Sequence, residues 1–272
     1  MQQPQFQPMQ QEVVQFVNPT FAQQYVAPPQ ITYEIKGRPA FAFVDFMLPE
    51  GAKVLAEKGA MLWMDGNVTI ETWCFGGCLE SYYRTCAGES FCQNQFQGPG
   101  RIAFGFDEPG DILPFGVMQD QGWVVTSGGF VCGTEQVVVT TKMSSCLSCL
   151  CSGEGLFLTH VKLAEEHAGQ CGTFFGGGYG SLERHEVPEG STFFVDTGLF
   201  FAGPDDTKIE LAFLGGLKEW CCSGEGIVMK FQGPTVIYTQ SRDPAIFAKW
   251  SSPSAPNQQQ KDNNSGGVSV EL

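Results

Sequence analysis

Several things are scarce in this 272-residue sequence, and each scarcity removes a class of function. Long hydrophobic runs are missing. No stretch reaches the ~18 consecutive apolar residues that a membrane-crossing helix needs, so no transmembrane segment is expected. The start, Met1 to Gln11, is rich in Gln and Pro. It has neither the basic residues and apolar core of a signal peptide nor the arginines of a mitochondrial presequence, so a cytoplasmic location is the expectation. Positive charge is also short: 15 Lys and Arg stand against 29 Asp and Glu, for a net charge of -14. Neutralising phosphates supplies much of the affinity for nucleic acid, and anionic membrane surfaces attract basic segments. Neither partner suits this balance.

The groups that do chemistry are sparse as well. Only three histidines occur, His160, His167 and His185. No His-x-His pair exists, and the seven-residue gap between the first two does not put ligands on one strand. A cupin-type metal enzyme is therefore not supported. There is no Gly-x-Ser-x-Gly elbow and no Cys–His pairing in sequence for nucleophilic chemistry. Gly176-Gly177-Gly178-Tyr179-Gly180 lacks the Lys-Ser/Thr ending of a phosphate loop and reads as a hairpin turn. No catalytic residue is assigned, and the chain is expected not to be an enzyme.

What the sequence does contain is glycine (34), proline (16) and phenylalanine (23). Many turns and many aromatic residues, without long helical patterns, indicate an all-β fold. Residues 1–30 carry one charge, Glu12, among Gln and Pro, and the chain from 251 to 272 returns to Ser, Pro, Gln and Asn. Both stretches bury too little apolar surface to offset their ordering entropy and read as disordered tails around a domain at 31–250.

Within that domain a pattern recurs. Cys86-Ala-Gly-Glu89-Ser-Phe91 returns as Cys151-Ser-Gly-Glu154-Gly-Leu156 and Cys222-Ser-Gly-Glu225-Gly-Ile227, with the glutamates 65 and 71 residues apart. A second marker precedes each copy. Leu48-Pro49-Glu50-Gly51 and Val187-Pro188-Glu189-Gly190 are near copies, and Glu108-Pro109-Gly110-Asp111 is a shortened one. Two markers in one order, three times, predict three repeated β units forming a pseudo-threefold sandwich or barrel body. Inside the units, strands are predicted over Ala52–Leu62 and Asn67–Trp73, split by an Asp65-Gly66 hairpin signal. Others are predicted over Trp123–Thr126, Gln136–Thr141, Thr192–Asp196, Leu199–Ala202 and Lys208–Phe213. A helical turn is predicted only within Thr159–Ala168. Strand alternation sends one ring of each pair Phe174-Phe175 and Phe200-Phe201 to the opposite face, toward a second sheet or a neighbouring subunit.

The chain resembles the altered-inheritance-of-mitochondria protein 24 family, whose fold is like the tryptophan RNA-binding attenuation protein. The matching stretches are Pro49-Glu50-Gly51, Gly59-Ala60-Met61, Met64-Asp65, Gly88-Glu89-Ser90-Phe91 and Gly153-Glu154-Gly155-Leu156-Phe157. Phe194 to Gly198, Gly224-Glu225-Gly226 and Gln240-Ser241-Arg242 complete the set. The resemblance implies β-sandwich units around a pseudo-threefold axis, often in an oligomer, and no reaction. Some members help organise the mitochondrial inner membrane, which makes a mitochondrial location the alternative.

Two candidate sites follow from the recurrence. Glu89, Glu154 and Glu225 are equivalent carboxylates that a ligand or cation would find together. Their ordinary role is turn chemistry, with Gly supplying φ > 0 and Glu accepting backbone N–H groups. Cys86, Cys151 and Cys222, with Cys146-x-x-Cys149, are the candidate metal ligands, and zinc is the metal such thiols take. The eleven cysteines otherwise read as reduced, small buried hydrophobes. The functional expectation is a non-enzymatic scaffold or protein-interaction module, oligomeric, linked to membrane or organelle organisation, with itself and another protein as partners. The alternative is a metal- or small-ligand-binding protein using the repeated Cys-x-Gly-Glu turns, and otherwise no cofactor.

Overall fold

A computed structural model describes residues 30–74, 92–143, 157–213 and 227–246. After a leading strand β1 (Thr32–Lys36), the chain runs through three sets of six strands. The first set is β2 (Phe43–Leu48), β3 (Lys53–Glu57), β4 (Met61–Met64), β5 (Thr69–Cys74), β6 (Cys92–Gln97) and β7 (Gly100–Gly105). The second is β8 (Gly110–Val117), β9 (Trp123–Thr126), β10 (Phe130–Thr134), β11 (Val137–Met143), β12 (Phe157–Leu163) and β13 (Gly172–Tyr179). The third is β14 (Leu182–Val187), β15 (Thr192–Asp196), β16 (Phe200–Pro204), β17 (Glu210–Phe213), β18 (Ile227–Gln232) and β19 (Thr235–Gln240). The fold is all-β. A 3-10 turn at Glu165–His167, just after β12, occupies part of the stretch where a helical turn is predicted.

Each set pairs in the same antiparallel scheme. The sixth strand pairs with the first and the third, and the fifth pairs with the second and the fourth. The agreement extends to single bonds. The turn from second to third strand closes Ala60 N to Glu57 O, Gly129 N to Thr126 O and Leu199 N to Asp196 O at 3.0–3.2 Å. The third strand carries a bulge at the same place each time, between Met61 and Trp63, Phe130 and Cys132, and Phe200 and Ala202. These coincidences make Met61–Met64 the counterpart of Phe130–Gly133 and of Phe200–Gly203.

Each set is a two-sheet sandwich around its own core, and consecutive sets are fused through shared sheets. β3 pairs with β10, and β9 with β16, so the second, fifth and fourth strands of one set continue into the third, sixth and first of the next. Two six-stranded sheets result, flanked by the end sheets β1-β2-β7-β4 and β15-β18-β17. Within the shared sheets, β10, β13 and β16 bury side chains on both faces. Phe174 lies in the second core and Phe175 in the first; Phe200 lies in the third and Phe201 in the second. The second ring of each Phe pair therefore meets another sheet, as alternation requires.

Several sequence expectations are corrected. Asp65-Gly66 joins β4 to β5, but these strands lie in different sheets, so no hairpin forms there. Asp65 instead continues the β4–β7 ladder: its carboxylate accepts Arg101 N at 2.8 Å and its N–H donates to Arg101 O at 2.9 Å. Gly176 to Gly178 lie inside β13 rather than in a turn. A Cβ there would sit 2.8 Å from Phe201 at Gly176 and 2.6 Å from Phe106 at Gly177, so aromatic rings occupy the side-chain space. The marker Pro-Glu-Gly does form equivalent turns in sets one and three, with Gly51 and Gly190 at φ 76° and 74°. Glu108-Pro109-Gly110-Asp111 is not their counterpart, because it leads into β8 instead of following it. The corresponding turn of the second set is Met118–Gln121, closed by two backbone bonds of 3.0 and 3.1 Å.

Candidate functional site

Every residue singled out from the recurrent motif lies outside the described residues: Cys86 and Glu89; Cys146, Cys149, Cys151 and Glu154; Cys222 and Glu225. The strands that bracket them are described. Cys74 faces Cys92 across β5 and β6, Met143 faces Phe157 across β11 and β12, and Phe213 faces Ile227 across β17 and β18. The motif is thus inserted three times between the fourth and fifth strands of the same scheme. Glu89 and Glu154 precede the following strand by three residues, and Glu225 by two.

Next to the first insertion lies a cleft of about 520 Å³. Its floor is one face of the first shared sheet, where Leu55, Trp73, Gln93 and Gln95 project together. Its rim is Glu135 with Val137 and Val138, and the turn Ala164–Glu166. Trp73 is 57% exposed, while Gln93 is 4% exposed and its Nε2 has no hydrogen-bond partner among the described residues. The rim carries three carboxylates, Glu135, Glu165 and Glu166, and the floor mixes apolar and amide side chains.

The remaining reactive groups are dispersed. His185 Nε2 lies 2.9 Å from Thr239 Oγ1, with its ring against Phe193. His160 faces Thr140 across β11 and β12, and His167 sits in the 3-10 turn. Cys132 is buried and free, and burial pushes its thiol pKa well up; Cys171 is exposed and free. A thiol held neutral is a poor nucleophile and a poor ligand. Among the described residues no three His, Cys, Asp or Glu side chains gather where they could hold a metal ion.

Two ion-pair groups escaped sequence reasoning because their members are far apart in the chain. Arg38 grips Asp111 through Nε and Nη2 at 2.7 and 2.8 Å, which ties the β1–β2 connection to the second set. Asp45, 7% exposed, receives Lys36 and Arg101, each at 2.6 Å. A surface feature was missed too. β4 reads Met-Leu-Trp-Met, and all four residues are exposed. Its signal is the lack of any polar alternation in a strand that the sequence merges with its neighbour, Ala52–Leu62.

Comparison with known proteins gives three findings. A family model described as mitochondrial biogenesis AIM24 matches residues 33–242. An uncharacterised protein of Streptococcus pyogenes serotype M6 is 23% identical over 218 residues, spanning 76% of this chain and 84% of that protein. A crystal structure of a Streptococcus pyogenes protein superposes with a TM-score of 0.62 at 22% identity, covering 81% of this chain and 98% of the other. That likeness is one of fold.

Proposed function

The chain belongs to the mitochondrial biogenesis AIM24 family, and from that premise we propose that it is a non-enzymatic scaffold, a self-associating interaction body that presents its three motif insertions to a protein partner. The observation that carries the reading is the threefold recurrence of one strand-pairing scheme with the Cys-small-Gly-Glu segment inserted at one point in it. A scheme repeated this way offers a partner several like contacts, and linked contacts raise avidity without new chemistry. Residues 31–250 act as the folded body in this reading, placed about a pseudo-threefold axis, and 1–30 and 251–272 as tails. Its place is the cytoplasm, with the mitochondrion, after which the family is named, as the alternative. Among the described residues no helix is long and apolar enough to cross a membrane.

The test is affinity capture with the full chain followed by the triple variant Glu89→Ala, Glu154→Ala, Glu225→Ala. The variant is expected to keep the wild-type circular dichroism and melting temperature and to lose the captured partner. Unchanged capture overturns the reading. The alternative, a metal or small ligand held by Cys86, Cys151 and Cys222 with Cys146 and Cys149, draws on the same recurrence. It requires that replacing the first three by serine remove bound zinc from protein purified without chelator.

A further inference from the structure

The two junctions between sets correspond residue by residue, and they differ in charge. Gly133 faces Leu55 in the first and Gly203 faces Val124 in the second, so Glu135, just past β10, is the counterpart of Asp205, just past β16. Through the adjoining ladders, Gln97 is the counterpart of Lys162 and Gln93 of Leu158. At the second junction Lys162 pairs with Asp205 at 2.5 Å, and Leu158 is buried in the third core. At the first junction a glutamine, Gln97, stands at the lysine position. Glu135 is left without a cation beside it among the described residues. A second glutamine, Gln93, stands at the position of the buried leucine.

The cleft over β3, β5 and β6 brings these two groups to one place. Gln93 lines it with a buried amide N–H group that has no acceptor among the described residues. A buried donor left in that state is destabilising, and a ligand that brings an acceptor relieves the loss. Trp73 faces Gln93 across β5 and β6 and exposes its ring. Glu135, Glu165 and Glu166 add three carboxylates, none paired with a cation among the described residues. A ligand that answers all three features carries a positive charge, a flat cationic face and a carbonyl oxygen. A polyamine has no acceptor for Gln93, and a bare metal ion gains nothing from an amide N–H. A guanidinium forks onto carboxylates and stacks on an indole, and the peptide group beside it supplies the acceptor it lacks.

We infer that this cleft is a binding site for an arginine of a partner peptide, with the guanidinium on Trp73 and among the carboxylates of Glu135, Glu165 and Glu166, and a backbone carbonyl of the peptide on Gln93 Nε2. The arginine takes the role at the first junction that Lys162 takes at the second. β11 is the edge strand of its sheet, and its Val137 and Val138 line the cleft, so an extended peptide has a free backbone edge to run along. The net charge of -14 draws a basic segment toward the chain. The site is made by the junction of two sets and not by the three motif insertions, so it goes beyond the interaction proposed for those.

Isothermal titration calorimetry of the full chain tests this with three probes. They are the blocked peptide acetyl-glycyl-arginyl-glycinamide, the same peptide with citrulline for arginine, and butylguanidinium, which has the cation and no carbonyl. Wild type is expected to bind the arginine peptide, less tightly as salt rises. It is expected to bind the citrulline peptide about tenfold more weakly or not at all. Trp73→Ala is expected to weaken the arginine peptide about tenfold. Gln93→Leu installs the residue of the second junction. It is expected to weaken the arginine peptide about fivefold and to leave butylguanidinium unchanged. Equal binding of the arginine and citrulline peptides, or binding of neither, overturns the inference on wild-type protein alone, whatever the variants' folding. Arginine-peptide binding that both variants leave unchanged reports attraction to the acidic surface at large and also overturns it. The triple variant Glu89→Ala, Glu154→Ala, Glu225→Ala is expected to bind the arginine peptide as wild type does, which keeps this result separate from partner capture. Loss of the peptide in that variant places the arginine at the insertions and overturns the cleft as its site.

Discussion

The middle set and the two outer sets of strands have one blueprint and different surroundings. β10 and β16 spend large apolar residues inside two cores at once, while β4 carries equally apolar residues into solvent. Hydrophobicity of a strand therefore reflects its place in the scheme, and exposure reflects only whether a neighbour is present. An apolar strand that is exposed while its counterparts are buried is a different matter from a scattered surface leucine.

The sharpest way to break this comparison is to truncate counterparts. Phe201→Ala removes a ring buried in the second core and is expected to cost about 3–5 kcal/mol. Leu62→Ala, at an exposed position, is expected to cost under about 0.5 kcal/mol. Urea unfolding monitored by fluorescence measures both, and equal costs would show that the two counterparts do not differ in burial. A second perturbation loosens the tie between the β1–β2 connection and the second set. Arg38→Ala leaves Asp111, 2% exposed, without its two charged hydrogen bonds and is expected to cost about 2 kcal/mol.

The third and smallest effect belongs to the end sheet. Burial pushes the Asp45 carboxyl up, but hydrogen bonds from Lys36 and Arg101 outweigh burial and hold it below the ordinary carboxylate value. A depressed folded-state pKa contributes stability that is present above the unfolded value, about 4, and is lost as pH falls through the folded value. Thermal melts below pH 4 are thus expected to fall less steeply for Asp45→Asn than for wild type. Parallel slopes would show that the carboxylate is not held by its two partners.

Much of the strand order was legible in the sequence, and the misses have physical causes. Strands at Thr192–Asp196, Leu199–Ala202 and Lys208–Phe213 are expected almost where β15, β16 and β17 lie, because Gly198 and Pro204-Asp205 punctuate them. Ala52–Leu62 reads as one strand but is two, broken at Gly59 with φ 91°. Asp65-Gly66 has the chemistry of a tight turn, yet pairing is decided by β7, which arrives some 35 residues later. The Gly run at 176–178 follows from rings that pack over it from Phe106 and Phe201, contacts no local pattern contains. The motif residues themselves, Cys86 to Glu225, were legible because each copy is a short contiguous pattern in the sequence. The charged groups at Asp45 and Asp111 were not, because their partners lie 9, 56 and 73 residues away.

The shared sheets also set a schedule for synthesis. The open side of β3 can be closed only by β10, so between Glu57 and Phe130 the ribosome must deliver 73 further residues. At ~5–20 residues per second that is roughly 4–15 s during which a nascent strand edge waits uncovered. The same wait recurs for β9 until β16 emerges. Each internal junction is thus open to mispairing for a few seconds, until the strand that covers it has left the tunnel.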